Sequence, residues 1–102
     1  MMIMQPAIVA QPMVDTCRSE LAQKKNLAAL SKVEFAAFNE GKAAQILHIG
    51  PFTEEGPTIE KLHAFIAANG LKLAGKHHEI YLSDIRRATP AKWKAIIRQP
   101  VE

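Results

Sequence analysis

The residues with the most chemical potential lie in one short run, His77-His78-Glu79-Ile80-Tyr81-Leu82-Ser83. Read as a strand, its period of two places His77, Glu79, Tyr81 and Ser83 on one face and His78, Ile80 and Leu82 on the other. The apolar pair Ile80 and Leu82 is expected to meet a helix layer. Glu79 and Tyr81 then project from the opposite face, about 7 Å apart along the strand. A carboxylate beside an aromatic wall suits lipophilic cations, through charge attraction and the ring quadrupole together. Partial burial would raise the pKa of Glu79 and fit it for general acid/base work. The plainer alternative is a solvated strand carboxylate paired with a cross-strand lysine.

Other reactive side chains are weighed the same way. His48 follows an apolar run and precedes Gly50-Pro51. It reads as a hydrogen-bonded structural histidine, with a groove contact as the alternative. His77 and His78 are adjacent on a strand, point to opposite faces, and are poorly placed to chelate one ion. Cys17 falls at helical spacing with Val14 and Leu21 and is expected to be buried packing. No metal site and no cofactor is expected, and no glycine-rich phosphate loop or Ser/His/Asp motif is present.

The elements that must position these groups follow from apolar period and turn chemistry. Met1–Gln5 reads as a short strand stopped by Pro6, and Pro12 opens a helix running to about Asn26. Val33, Phe35 and Ala37 alternate as a strand. Asn39-Glu40-Gly41 forms a turn, and Lys42 to Ile49 returns as the next strand. Gly56-Pro57 opens a second helix with Ile59, Leu62, Phe65 and Ile66 as its stripe and Gly70 as its cap. After the strand from His77 to Ser83, Thr89-Pro90 starts a short helix carrying Trp93, and Ala95 to Gln99 closes the chain. The mixed order predicts an α+β fold: a largely antiparallel sheet with helices on one face.

Three segments carry a family resemblance: Gln45-Ile46-Leu47-His48-Ile49-Gly50-Pro51-Phe52, then Glu54-Glu55-Gly56-Pro57-Thr58-Ile59, then Lys76-His77-His78-Glu79-Ile80-Tyr81-Leu82-Ser83-Asp84. Together they resemble the GyrI-like small-molecule-binding domain. That family includes effector-binding domains of AraC- and MerR-type multidrug regulators, stand-alone gyrase inhibitors, and hydrolases of cyclopropane-bearing toxins. The resemblance implies a duplicated strand-helix-strand-strand fold around a ligand groove. It places the ligand-contacting carboxylate at Glu79 and an aromatic neighbour at Tyr81, with Trp93 closing one end of the groove. Phe52, His77 and His48 join them as candidate ligand contacts, and Asp84 as the organiser of the turn after the strand. If the protein is an enzyme, Glu79 and Tyr81 are its candidate catalytic residues.

The resemblance further implies one domain over 1–102, with residues 31–102 as the ligand-binding module and 1–30 as an N-terminal strand and connecting helix. Ile3-Met4-Gln5-Pro6 echoes Ile97-Arg98-Gln99-Pro100, as two module-closing strands would. Hydrolase-like members are about twice as long as this chain. A half-length sheet has a bare edge and an open groove, so a homodimer is expected to complete it.

The chain has 102 residues and a net charge of +3. It is long enough for one modest core and carries no DNA-binding segment of its own. The basic excess sits in residues 70–102, yet no basic stripe interleaved with aromatics is seen, so a nucleic-acid partner is not expected. Met1–Val14 is broken by two prolines and makes neither a signal peptide nor a membrane span. One cysteine and no leader point to a reducing, cytoplasmic location. The leading function is binding of hydrophobic, aromatic or cationic small molecules. A toxin hydrolase and a gyrase-inhibitor-like interaction protein are the alternatives.

Overall fold

A computed structural model describes all 102 residues, in two compact units, Met1–Phe38 and Asn39–Glu102. No helix is long and apolar enough to cross a membrane.

In the N-terminal unit, Pro12 stands at the start of helix α1 (Gln11–Lys24), where its missing N–H costs nothing. The Thr16 hydroxyl donates to the Pro12 carbonyl at 2.9 Å, and Gln11 donates to Asp15 at 2.9 Å. A 3-10 turn follows at Ala28–Lys32. The strands expected at Met1–Gln5 and Val33–Ala37 do not form. Alternation alone does not make a strand; a partner must supply the backbone ladder, and the sheet contains neither segment. Cys17 is exposed rather than buried, because no residue of α1 is buried.

The C-terminal unit contains the sheet. Gly41 takes a φ of 70°, and its N–H donates to Asn39 Oδ1 at 2.9 Å, making the expected turn. Strand β1 (Ala43–Ile49) follows and ends at Gly50. Gly50 has a φ of 128°, a conformation that side-chain-bearing residues rarely adopt, and its N–H donates to the Trp93 carbonyl at 2.9 Å. A 3-10 turn at Phe52–Glu54 leads into helix α2 (Gly56–Ala68), with Pro57 in its first turn and Gly70 just past its end at a φ of 69°.

Strand β2 (His78–Tyr81) and strand β3 (Lys94–Pro100) complete the sheet. A 3-10 turn at Pro90–Lys92 precedes β3, and Trp93 follows that turn instead of lying within it. The strand order is β1-β3-β2, antiparallel throughout. The fold is thus α+β: two helices and a three-stranded antiparallel sheet.

Register decides which face does what. On β3, Ala95, Ile97 and Gln99 are buried, alternating with Lys94, Ile96 and Arg98. Ile97 pairs with Ile46 on β1 and Glu79 on β2; Ala95 pairs with His48 and Tyr81. Directly paired residues share a face. Ile97 joins Leu62 and Ile66 of α2 and Val101 in the core, with Ala44, Ile46, Ile59 and Leu71 packed around them. Glu79 and Tyr81 therefore stand on the helix-bearing face, not opposite it as expected. Ile80 and Leu82 lie on the opposite face and are exposed there, together with Leu47 and Ile49. Phe65, expected in the α2 stripe, is also exposed. Alternation had sorted the residues of β2 into two sets correctly; only the register against β3 could say which set meets the helix.

Candidate functional site

Helix α2 packs against β1. The β2 edge of the same face carries Glu79 and Tyr81. The Tyr81 hydroxyl donates to Glu79 Oε2 at 2.6 Å, a short charge-assisted bond. That bond, more than burial or nearby negative charge, holds the Tyr81 proton and pushes its pKa up. His77 Nε2 lies 3.9 Å from the other carboxylate oxygen of Glu79.

Phe52 completes an aromatic series. Its ring centroid is 5.0 Å from that of Tyr81 and 4.9 Å from that of Trp93, both at tilted angles. Trp93 is fixed by its indole N–H, which donates to the Ala88 carbonyl at 2.9 Å. The turn beneath it is organised by Asp84, whose carboxylate accepts the backbone N–H and guanidinium of Arg86. The Arg86 side chain holds the Asp84 carboxyl below its usual range.

His48 takes the structural role. It is buried, with Nε2 3.0 Å from the Pro51 carbonyl and Nδ1 2.8 Å from the Thr58 hydroxyl. A carbonyl only accepts, so Nε2 carries the proton and donates. Both ring nitrogens are thus engaged, tying the end of β1 to the loop at Pro51 and to Thr58 in the first turn of α2. His48 positions Phe52 through that loop.

Glu55 is the residue that sequence reasoning missed. It stands at the N-cap position of α2 yet makes no side-chain cap bond. Its side chain turns inward instead, leaving the residue only 7 % exposed. Glu55 Oε1 is buried without a hydrogen-bond partner. Burial first, then hydrogen bonding to the Glu79 carboxylate and its charge, push the Glu55 carboxyl up from 4.5; His48 and His77 oppose this weakly. In sequence, an acid just before a helix looks like ordinary dipole compensation, and nothing marks it as turned under.

The structure therefore gathers Glu79, Tyr81, Phe52, Trp93 and His77 around a buried acid, and sets His48 behind them. The strip is open: Tyr81 is 61 % exposed. A carboxylate flanked by aromatic faces attracts a cation.

Comparison with known proteins places this arrangement. The profile of the GyrI-like small-molecule-binding domain matches residues 12–102. The chain belongs to this family. Among solved structures, a hydrolase from Listeria innocua is 37% identical with a TM-score of 0.83, the match covering 96% of this chain and 52% of that one. An uncharacterized conserved protein from Listeria innocua is 39% identical with a TM-score of 0.87, covering 96% of this chain and 50% of that one. This GyrI-like chain thus spans about half the length of the solved proteins it matches. No match was found among the curated proteins. The three resemblance-bearing segments all lie within the matched region and surround the site, at the end of β1, the entry to α2 and β2.

Proposed function

We propose that this GyrI-like domain binds a hydrophobic aromatic cation on the strip formed by Glu79, Tyr81, Phe52 and Trp93. The observation that supports it is the carboxylate of Glu79 bonded to Tyr81, whose ring continues into those of Phe52 and Trp93. A cation over such faces gains about 0.5–2 kcal/mol per ring contact, more as water leaves. A role in sensing, sequestration or drug resistance inside the cytoplasm belongs to the same reading. So does a second copy of the chain closing the open side of Tyr81, which light scattering would register as a dimer.

Trp93 is the only tryptophan and reports on the site. Lipophilic cationic dyes are expected to quench its fluorescence saturably, and anionic dyes of similar size to leave it unchanged. Equal quenching by both charges would remove the carboxylate from recognition.

Hydrolysis of an electrophilic, cyclopropane-bearing compound is the second reading. It is favoured by the hydrolase description of a solved relative and by the hydrogen bond that joins Tyr81 to Glu79. Glu79 would activate water and Tyr81 would donate to the developing oxyanion. Turnover that vanishes in Glu79→Gln would support it.

A further inference from the structure

Resting on the proposed function of the strip, we propose that Glu40 is a positioning residue for it: from the opposite face of the sheet, Glu40 clamps His78 of β2 to Arg98 of β3 and thereby holds Glu79 and Tyr81 in place.

Strand β2 is the weakly supported part of the site. It is four residues long and lies at an edge of the sheet, so β3 alone supplies its backbone ladder. Helix α2 packs against β1, at the other edge. Yet β2 carries both the carboxylate and the phenol of the strip. A lift or slip of this strand would move Glu79 and Tyr81 together.

On the face opposite α2, a row of directly paired residues crosses all three strands: Gln45 on β1, Arg98 on β3 and His78 on β2. Glu40, from the turn before β1, reaches over this row, and its two carboxylate oxygens take one partner each. Arg98 Nη1 donates to Glu40 Oε1 at 3.2 Å, while Arg98 Nε donates to Gln45 Oε1 at 2.9 Å. His78 Nε2 lies 3.0 Å from Glu40 Oε2. A carboxylate oxygen only accepts, so the imidazole proton facing it sits on Nε2. The Glu40 side chain is 12% exposed and that of His78 24%, so water screens this pair less than it screens one on the open surface. His78 directly precedes Glu79, and the pleat sends the two side chains to opposite faces. Fixing His78 on one face therefore fixes the backbone from which Glu79 and Tyr81 project on the other.

Binding of singly charged ethidium and amide hydrogen exchange, both on the intact chain, test the clamp. Glu40→Ala is expected to weaken ethidium about fivefold and His78→Ala similarly, with the double variant losing no more than the larger single loss. Glu40→Gln should stay within about twofold of the wild type, because its amide still accepts from Arg98 and can donate to the imidazole. A loss in Glu40→Gln equal to that in Glu40→Ala would mean that the charge acts on the ligand directly. Additive losses would mean that Glu40 and His78 do not act as a pair. Either result overturns the proposal. The Leu82 N–H, which donates to the Lys94 carbonyl at 3.0 Å, reports on the junction of β2 with β3; the Gly50 N–H, which donates to the Trp93 carbonyl, reports on that of β1. In Glu40→Ala and in His78→Ala, exchange at Leu82 should rise at least about fivefold with Gly50 unchanged. Equal acceleration at both amides would mean a general loss of stability and would overturn the clamp. If the wild-type chain binds no ethidium, the proposed function fails and the positioning role with it, and the exchange at Leu82 alone decides whether Glu40 clamps β2.

Discussion

Glu79→Gln should weaken binding of a lipophilic monocation about tenfold or more while leaving a neutral analogue of the same ring system within about twofold. The amide keeps the size of the carboxylate and still offers an oxygen to the Tyr81 hydroxyl, so the aromatic series is preserved. What disappears is one negative charge. At about 4 Å and a near-surface effective dielectric of about 20, a full ion pair is worth about 4 kcal/mol, an upper bound on an open site. Solvent screening at the exposed edge reduces this to about 1.4 kcal/mol or somewhat more, which is the tenfold figure. Glu55 does not replace the lost charge freely, because ionising it in a buried position costs its hydration. Trp93 fluorescence titration with both ligands measures the difference. A parallel loss for the neutral analogue would mean that the substitution disturbed packing and that charge is not what the residue provides.

Ile97→Ala should lower stability by about 2–5 kcal/mol, the range for truncating a fully buried isoleucine. Ile97 is 0% exposed on the central strand, between Ile46 and Glu79, and under Leu62 and Ile66 of α2. For a domain of this size each kcal/mol shifts the thermal midpoint by about 4–8 °C, so the loss is a large part of a small total. Leu47→Ala, on the other face of the sheet, should change stability by no more than about 0.5 kcal/mol. Thermal or urea unfolding of the two variants compares them directly. Similar losses would mean that the face opposite α2 is also covered in solution, as a second copy of the chain would cover it.

That contrast also shows what a linear reading of this chain can deliver. The elements of the C-terminal unit were legible because their punctuation is local. Asn39-Glu40-Gly41, Gly50-Pro51, Gly56-Pro57 and Gly70 each impose a backbone geometry that neighbours do not override. The grouping of Glu79 with Tyr81 was legible because a strand has a period of two. The direction of that face was not, since it depends on Glu79 pairing with Ile97 from 18 residues further along the chain. Glu55 was hidden for a related reason. Its setting comes from tertiary burial, whereas its place in the sequence is that of any acid before a helix. The N-terminal strands failed because Met1–Gln5 and Val33–Ala37 have strand-like composition and no place in the sheet. His48 was ambiguous between support and contact until both ring nitrogens were seen to be engaged by Pro51 and Thr58.

The resemblance carried by the segments around His48, Glu55 and Glu79 matters here because those segments are far apart in sequence and meet at one place. The end of β1, the entry to α2 and the edge strand β2 converge on Phe52, Glu55, Glu79 and Tyr81. Trp93 adds the last ring from the start of β3. Three rings from three separated segments form one series, with the Glu79 carboxylate bonded to its Tyr81 end.

The most direct test of that surface is amide and aromatic NMR of the intact chain during titration with a lipophilic monocation. Shift changes are expected to concentrate at Phe52, Glu55, Glu79, Tyr81 and the Trp93 indole, on the helix-bearing face. Changes centred on Leu47, Ile49, Ile80 and Leu82, with those five residues unmoved, would contradict the account.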